Sequence, residues 1–205
     1  MLLACENGDV KLVRYLLVTG KLKGSVNAMS PVDGLSALML AVARKNTLLA
    51  ALLIEQGADV NLGNNKSWPL SIACENSDII TAAYLIDKGA TVNRTIDELN
   101  GISCLFQACD RGNIDLVKLL LMHQADVNHT DKRGRSVLSY LCENEGFQHL
   151  RSATVNALIA VLLKAGADAL LRDHDGVTPV EFARTHPDPT VLEQMLSWVR
   201  QERRK

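Results

Sequence analysis

Aromatic side chains are scarce: Phe, Tyr and Trp together make up 4% of the 205 residues. Sheets favour β-branched and aromatic residues, so this composition argues against a sheet core. A surplus of one charge is also lacking. The formal net charge is −1, which leaves no global field to attract nucleic acid or an anionic membrane. No apolar run approaches the roughly 18 residues that a bilayer span needs. The N-terminal MLLACENGD has no basic stretch and no adequate apolar run, so it does not read as a secretory signal. A reducing compartment, the cytoplasm and alternatively the nucleus, is therefore expected, with the five cysteines as free thiols.

Signatures of chemistry are missing as well. There is no P-loop, no G-x-G-x-x-G and no G-x-S-x-G. His123, His129, His149, His174 and His186 show neither H-x-x-x-H nor H-E-x-x-H spacing. The sequence thus offers no catalytic residue, no cofactor site and no metal site.

What is present is a repeated amphipathic unit in a chain that is 47% hydrophobic. Between Asn100 and Asn128, Leu105, Ala108 and Cys109 recur at helical spacing, and Leu116, Val117, Leu120 and Leu121 form a second, wider stripe. Both segments are shorter than the about 12–15 residues at which isolated helices become stable, so each needs neighbours. Turns at Gly34, Lys66, Gly101, Gly134 and Gly176 open successive units with a period of about 33 residues. Behind them stand Ser36-Ala37-Leu38, Trp68-Pro69-Leu70, Ser103-Cys104-Leu105, Ser136-Val137-Leu138 and Thr178-Pro179-Val180. Ser or Thr at such a place caps orphan backbone N–H groups, and Pro suits the first helical position. Asp9, Asn46, Asp78 and Asn113 are placed to cap the second helix of a unit. Gly20, Gly57, Gly89 and Gly166 are placed to end it in the left-handed conformation. Gln124 stands where glycine is expected and carries about 1 kcal/mol of strain on that reading. Exits such as Ala58-Asp59-Val60-Asn61 and Ala125-Asp126-Val127-Asn128 follow.

These residues resemble ankyrin repeats: a period near 33 residues, a T-P-L-H-x-A-like box, a helix pair and a G-A-D-V-N-like exit. The resemblance implies an all-α ankyrin-repeat solenoid of about six helix-turn-helix units joined by β-turn or short hairpin tips. The expected layout is a single ankyrin-repeat domain over 1–205. Its units cover about 1–29, 30–63, 64–98, 99–131, 132–173 and 174–205, the fifth with nine extra residues near 145–153 and the last as a C-terminal cap. The box departs from the family at its histidine, replaced by Met39, Ser71, Phe106, Ser139 and Glu181, so the hydrogen bonds of that histidine must be absent or replaced. In register, Cys5, Cys74, Cys109 and Cys142 fall in one slot. Adjacent helices lie about 8–10 Å apart, too far for zinc ligation or a disulfide through one slot, so the column reads as packing.

The family likeness further implies a non-catalytic scaffold, monomeric on its own, that binds a protein or peptide on its concave face and neither nucleic acid nor membrane. Alternatives are a targeting or adaptor subunit, a microbial effector module, and a regulator of a nuclear factor using the basic end Arg200 to Lys205. Carried over by position, the candidate protein-binding residues are Trp68, Glu75, Leu99, Ile102, Asp110, Arg111, Lys132, Arg133, Arg135 and Glu143. Glu6, Glu75, Asp110 and Glu143 form a broken acidic row, read either as a solvated helix edge or as a contact for basic groups. Lys132, Arg133 and Arg135 gather positive charge on one tip. Trp68 replaces a capping hydroxyl and is either wedged between turns or exposed as a binding anchor.

Overall fold

The computed structural model describes residues 1–19, 26–96, 101–143 and 149–202. The chain divides into two compact units, Met1–Glu98 and Leu99–Lys205, and the division falls between the third and fourth sequence repeats.

In the first unit, α1 (Leu2–Glu6), α3 (Ala37–Ala43) and α5 (Pro69–Glu75) form a row in which each helix packs on the next. Behind them stand α2 (Val10–Val18), α4 (Thr47–Glu55) and α6 (Ile79–Asp87), each against the first helix of its own repeat. A two-residue strand, β1 (Thr95–Ile96), follows. The second unit opens with β2 (Ile102–Ser103) and repeats the plan. Its front row is α7 (Cys104–Asp110), α9 (Val137–Cys142) and α11 (Pro179–Ala183). Its back row is α8 (Ile114–Met122), α10 (Ser152–Lys164) and α12 (Pro189–Glu202).

The back-row helices start where the sequence places their caps. The side chains of Asp9, Asn46, Asp78 and Asn113 accept from the N–H groups of Leu12, Leu49, Thr81 and Leu116 at 2.9–3.1 Å. Each such cap contributes about 1 kcal/mol. Gly57, Gly89 and Gly166 then take φ near +90°, and Gln124 takes +62° in the equivalent position. In the front row Ser36, Ser136 and Thr178 cap as expected. Ser103 does not: its hydroxyl is buried and has no hydrogen-bond partner among the described residues. Trp68 has no acceptor to offer α5, and only the return half of a capping box forms, with Ser71 Oγ accepting from the Trp68 N–H at 2.9 Å.

Leu38, Leu49, Leu53, Leu70 and Leu85 fill the first unit, and Leu116, Leu120, Leu138, Leu158 and Leu162 the second. Each contributes about 1.5–3 kcal/mol by leaving water. All five cysteines are buried, and none is in a disulfide. Burial pushes the Cys5 thiol up to about 11 and the Cys142 thiol up to about 12, and raises that of Cys109 too. A thiol held this firmly in its neutral form is a poor nucleophile and metal ligand, which fits the packing column.

Asparagine amides of the exits tie one repeat to the next. Asn61 donates from Nδ2 to the Gly89 carbonyl at 3.0 Å, and its Oδ1 accepts from the Thr91 N–H at 2.8 Å. Asn27 grips Gly57 and Asp59 in the same way, and Asn128 grips Gly166 and Asp168. In each case both ends of one amide hold the helix exit of the following repeat. Ser71, Ser139 and Glu181 satisfy their own helix starts instead.

Of the extra residues near 145–153, Glu145 to Gln148 lie outside the described residues, as does Asn144 before them. His149 to Arg151 lead into α10, which takes in Ser152 and Ala153 as its first residues and is longer than the other interior back-row helices. Leu150 packs so closely over Gly112 that a Cβ there would approach it to 2.8 Å.

Candidate protein-binding site

The expected surface is made of turn tips and the exposed ends of front-row helices, and its candidates fall on both units. In the first unit Glu75 ends α5 in an exposed position. Trp68 is different. Its side chain is 1% exposed, which removes it from the surface and corrects its reading as an exposed anchor. Gly63 lies against the turn itself: an added Cβ would sit 2.5 Å from the Ser67 carbonyl oxygen and 2.6 Å from Trp68 Cβ, so the backbone here needs glycine whatever stands at 68. A residue outside the box covers the indole. Arg94 covers the ring with its guanidinium 4.7 Å from the ring centroid and donates to the carbonyls of Asn61 at 2.9 Å and Asn64 at 3.4 Å. A cation over a tryptophan face is attracted by the ring quadrupole. Trp68 is thus the peg around which a tip is folded.

In the second unit, Leu99 lies outside the described residues. Ile102 is half-buried in β2. Lys132 and Arg133 are exposed on the tip between Thr130 and Ser136. Arg135 turns the other way. Its guanidinium donates to Asp131 Oδ2 at 3.1 Å and to Glu143 Oε2 at 3.1 Å, lies 4.1 Å from the Tyr140 ring centroid, and bonds the Tyr140 hydroxyl. Asp131 is buried and accepts at Oδ1 from the backbone N–H groups of Arg133 and Arg135 at 2.8 and 2.9 Å. The Tyr140 hydroxyl donates to its Oδ2 at 2.9 Å. The ring of Tyr140 stands edge-on to Phe106, with centroids 5.2 Å apart. The expected triple-cation tip is therefore two outward cations on a third that is tied inward.

Burial alone would raise the Asp131 carboxyl. The Arg135 N–H, the Tyr140 hydroxyl, the Arg133 N–H and the Arg135 side chain outweigh it and hold the group below the ordinary carboxylate range. Burial, followed by the hydrogen bond to Asp131, pushes Tyr140 up to about 12.

The acidic row is engaged within the second unit. Glu143 is held by Arg135. Asp110 is met by His149, whose Nε2 lies 2.5 Å from the Asp110 carbonyl oxygen and 3.6 Å from its carboxylate. Arg111, next in sequence, is exposed. Asp131, Tyr140, His149 and Arg94 organise these tips, yet none was among the sequence candidates. A signal existed for one of them: Asp131-x-x-Gly134 recurs as Asp173-x-x-Gly176. In both, an Asp oxygen gathers the turn N–H groups.

The family model described as "Ankyrin repeats (3 copies)" matches residues 1–96 and 93–173. The chain belongs to the ankyrin-repeat family. It is 30% identical over 186 residues to the putative ankyrin repeat protein YahD of Escherichia coli K12, which covers 89% of this chain and 87% of that protein. It is 24% identical over 161 residues to the target of rapamycin complex 2 subunit AVO2 of Saccharomyces cerevisiae, spanning 77% of this chain but only 36% of that subunit. The crystal structure of an ankyrin repeat domain from Acinetobacter baumannii AYE is similar with a TM-score of 0.82 and 29% identity, over 96% of each chain. Ankyrin repeats generally mediate protein–protein interaction. No described helix is long and apolar enough to cross a membrane.

Proposed function

We propose that this chain is a non-catalytic interaction scaffold that holds a protein or peptide partner on the turn-tip and front-helix face of residues 99–205. The observation that carries this is the tie of Arg135 to Asp131, Tyr140 and Glu143. It fixes the backbone that presents Lys132 and Arg133 outward. A tip already held in one conformation loses little freedom on binding, which favours affinity. The contacts on this face are Arg111, Lys132 and Arg133 with Ile102 beside them in sequence register, and the partner offers carboxylates to the cations. Five buried thiols suit a reducing compartment, so the reading adds a cytoplasmic or nuclear location.

Affinity purification of the full chain from its native cells, with mass spectrometry, tests this against the double variant Lys132→Glu/Arg133→Glu. Both side chains are exposed, so the variant folds. A genuine partner is lost from it, with affinity falling by about tenfold or more. A partner recovered equally by both proteins would sink the assignment of this tip. A second reading, a subunit that recruits a partner into a larger assembly, draws support from the likeness to AVO2, which is itself named as a complex subunit.

A further inference from the structure

The shared register of the back-row helices lets each side chain of α2 be compared with its equivalents. Leu12 stands three residues after the Asp9 cap, as Leu49, Thr81 and Leu116 stand after theirs. Those three are 0% exposed, whereas Leu12 is 44% exposed. Tyr15, one turn on, is 57% exposed, and Leu3 of α1 is 69% exposed. Leu12 and Tyr15 are at i, i+3 spacing and share a side of the helix. This side carries core-type residues with nothing over them among the described residues.

Charge narrows what fits there. Lys11 and Arg14 flank Tyr15 on α2 and, with Val10, line a hollow of about 470 Å³. Neither forms an ion pair among the described residues. The two carboxylates of α1 and α2, Glu6 and Asp9, sit at the turn between the helices, and Asp9 is engaged as the α2 cap. A second copy docking by the same face would bring both Lys11–Arg14 pairs into one interface, and like charges brought together there are unfavourable. An acidic surface meets no such repulsion.

We propose that this face, Leu12 and Tyr15 rimmed by Lys11 and Arg14, docks an amphipathic helix of a protein partner whose apolar stripe is bordered by Asp and Glu. Its apolar residues cover Leu12 and Tyr15, and its carboxylates meet Lys11 and Arg14. The surface is independent of the Lys132–Arg133 tip, so either assignment stands or falls alone.

The test uses the full chain and a fluorescein-labelled synthetic peptide of about 18 residues, long enough to hold a helix, with Leu at i, i+3, i+4 and i+7 and Glu on the flanks. A twin peptide carries Lys at every Glu position. Fluorescence anisotropy is expected to show the acidic peptide binding at least about tenfold more tightly than its twin. Lys11→Glu/Arg14→Glu reverses that preference, and Leu12→Ser/Tyr15→Ser abolishes binding with an unchanged circular dichroism spectrum. Equal affinity for the two peptides, no binding of either, or full binding by Leu12→Ser/Tyr15→Ser would overturn the proposal. So would a dimer in light scattering that Leu12→Ser disperses.

Discussion

The two units fasten their turn tips by different physics. In the first, a buried indole under a guanidinium does it, with Arg94 lying across the Trp68 ring. In the second, a buried carboxylate does it, with Asp131 collecting two backbone N–H groups, a guanidinium and a phenol. One lock depends on volume and the other on charge. The first therefore responds to truncation and is indifferent to acid, while the second responds to protonation. The same contrast runs along the back-row helices. At the second position of the helix the first unit exposes Leu48 and Ile80, whereas the second unit places Asp115, paired with Lys118 at 3.3 Å.

The largest break in this comparison is Trp68→Ala. Removing a fully buried aromatic costs about 3–5 kcal/mol, read as a lower urea midpoint with the slope of the acid limb unchanged. Trp68→Phe recovers part of it. If Trp68→Ala lowered partner affinity while leaving the midpoint within about 1 kcal/mol of wild type, the indole would be a surface anchor after all and the buried placement would be wrong.

Asp131→Asn breaks the other lock. It strips the mostly buried Arg135 of its main countercharge, and leaving one partner of such a pair costs about 3 kcal/mol. The sign of the pH effect follows from the direction of the shift. A carboxyl whose folded pKa lies below its unfolded one stabilises the fold above the unfolded value, and that contribution is lost as pH falls through the folded value. Asp131 is such a group. Wild type should therefore lose stability on acidification from about pH 4 downward, and Asp131→Asn should flatten that limb more than Trp68→Ala does. Urea midpoints between neutral pH and the acid limit decide it. Equal acid slopes in wild type and Asp131→Asn would mean that the carboxylate is not the group that matters.

How far these features could be read beforehand depends on their range. Helix pairs and back-row caps were legible because both rest on residues a few positions apart: Asp9 with Leu12, Asn113 with Leu116. The cysteine column was legible from register alone. The fate of Trp68 was not, since an indole at that place can point either way and its cover, Arg94, belongs to the following exit. Arg135 looked like surface charge because the sequence does not say that Asp131 and Tyr140 fold around it. Ser103 had the right identity for a cap and does not serve as one. The turn-tip positions were thus legible as a set, while the division between outward residues such as Lys132 and Arg133 and inward ones such as Arg135 needed tertiary contacts.

The smallest expected effect concerns the helix exits, where the two units differ by one side chain. The first unit ends α4 and α6 with Gly57 and Gly89, and α8 of the second ends with Gln124 at φ +62°. A side chain in the left-handed region costs about 1 kcal/mol relative to glycine, because Cβ crowds the following carbonyl. Gln124→Gly relieves that crowding but frees the unfolded chain, so the net gain should be at most about 1 kcal/mol. The same change at Lys45 and Ser77, at φ +54° and +55° between front and back helices, should act alike. Gly57→Ala and Gly89→Ala meet no atom within 4 Å, so any loss they show is backbone strain less the restriction of the unfolded chain, the same two terms with opposite sign as at Gln124. Thermal melts of Gln124→Gly and Gly89→Ala measured together would show shifts of opposite sign and similar size. A stabilising Gly89→Ala would remove left-handed strain as the reason that glycine ends these helices.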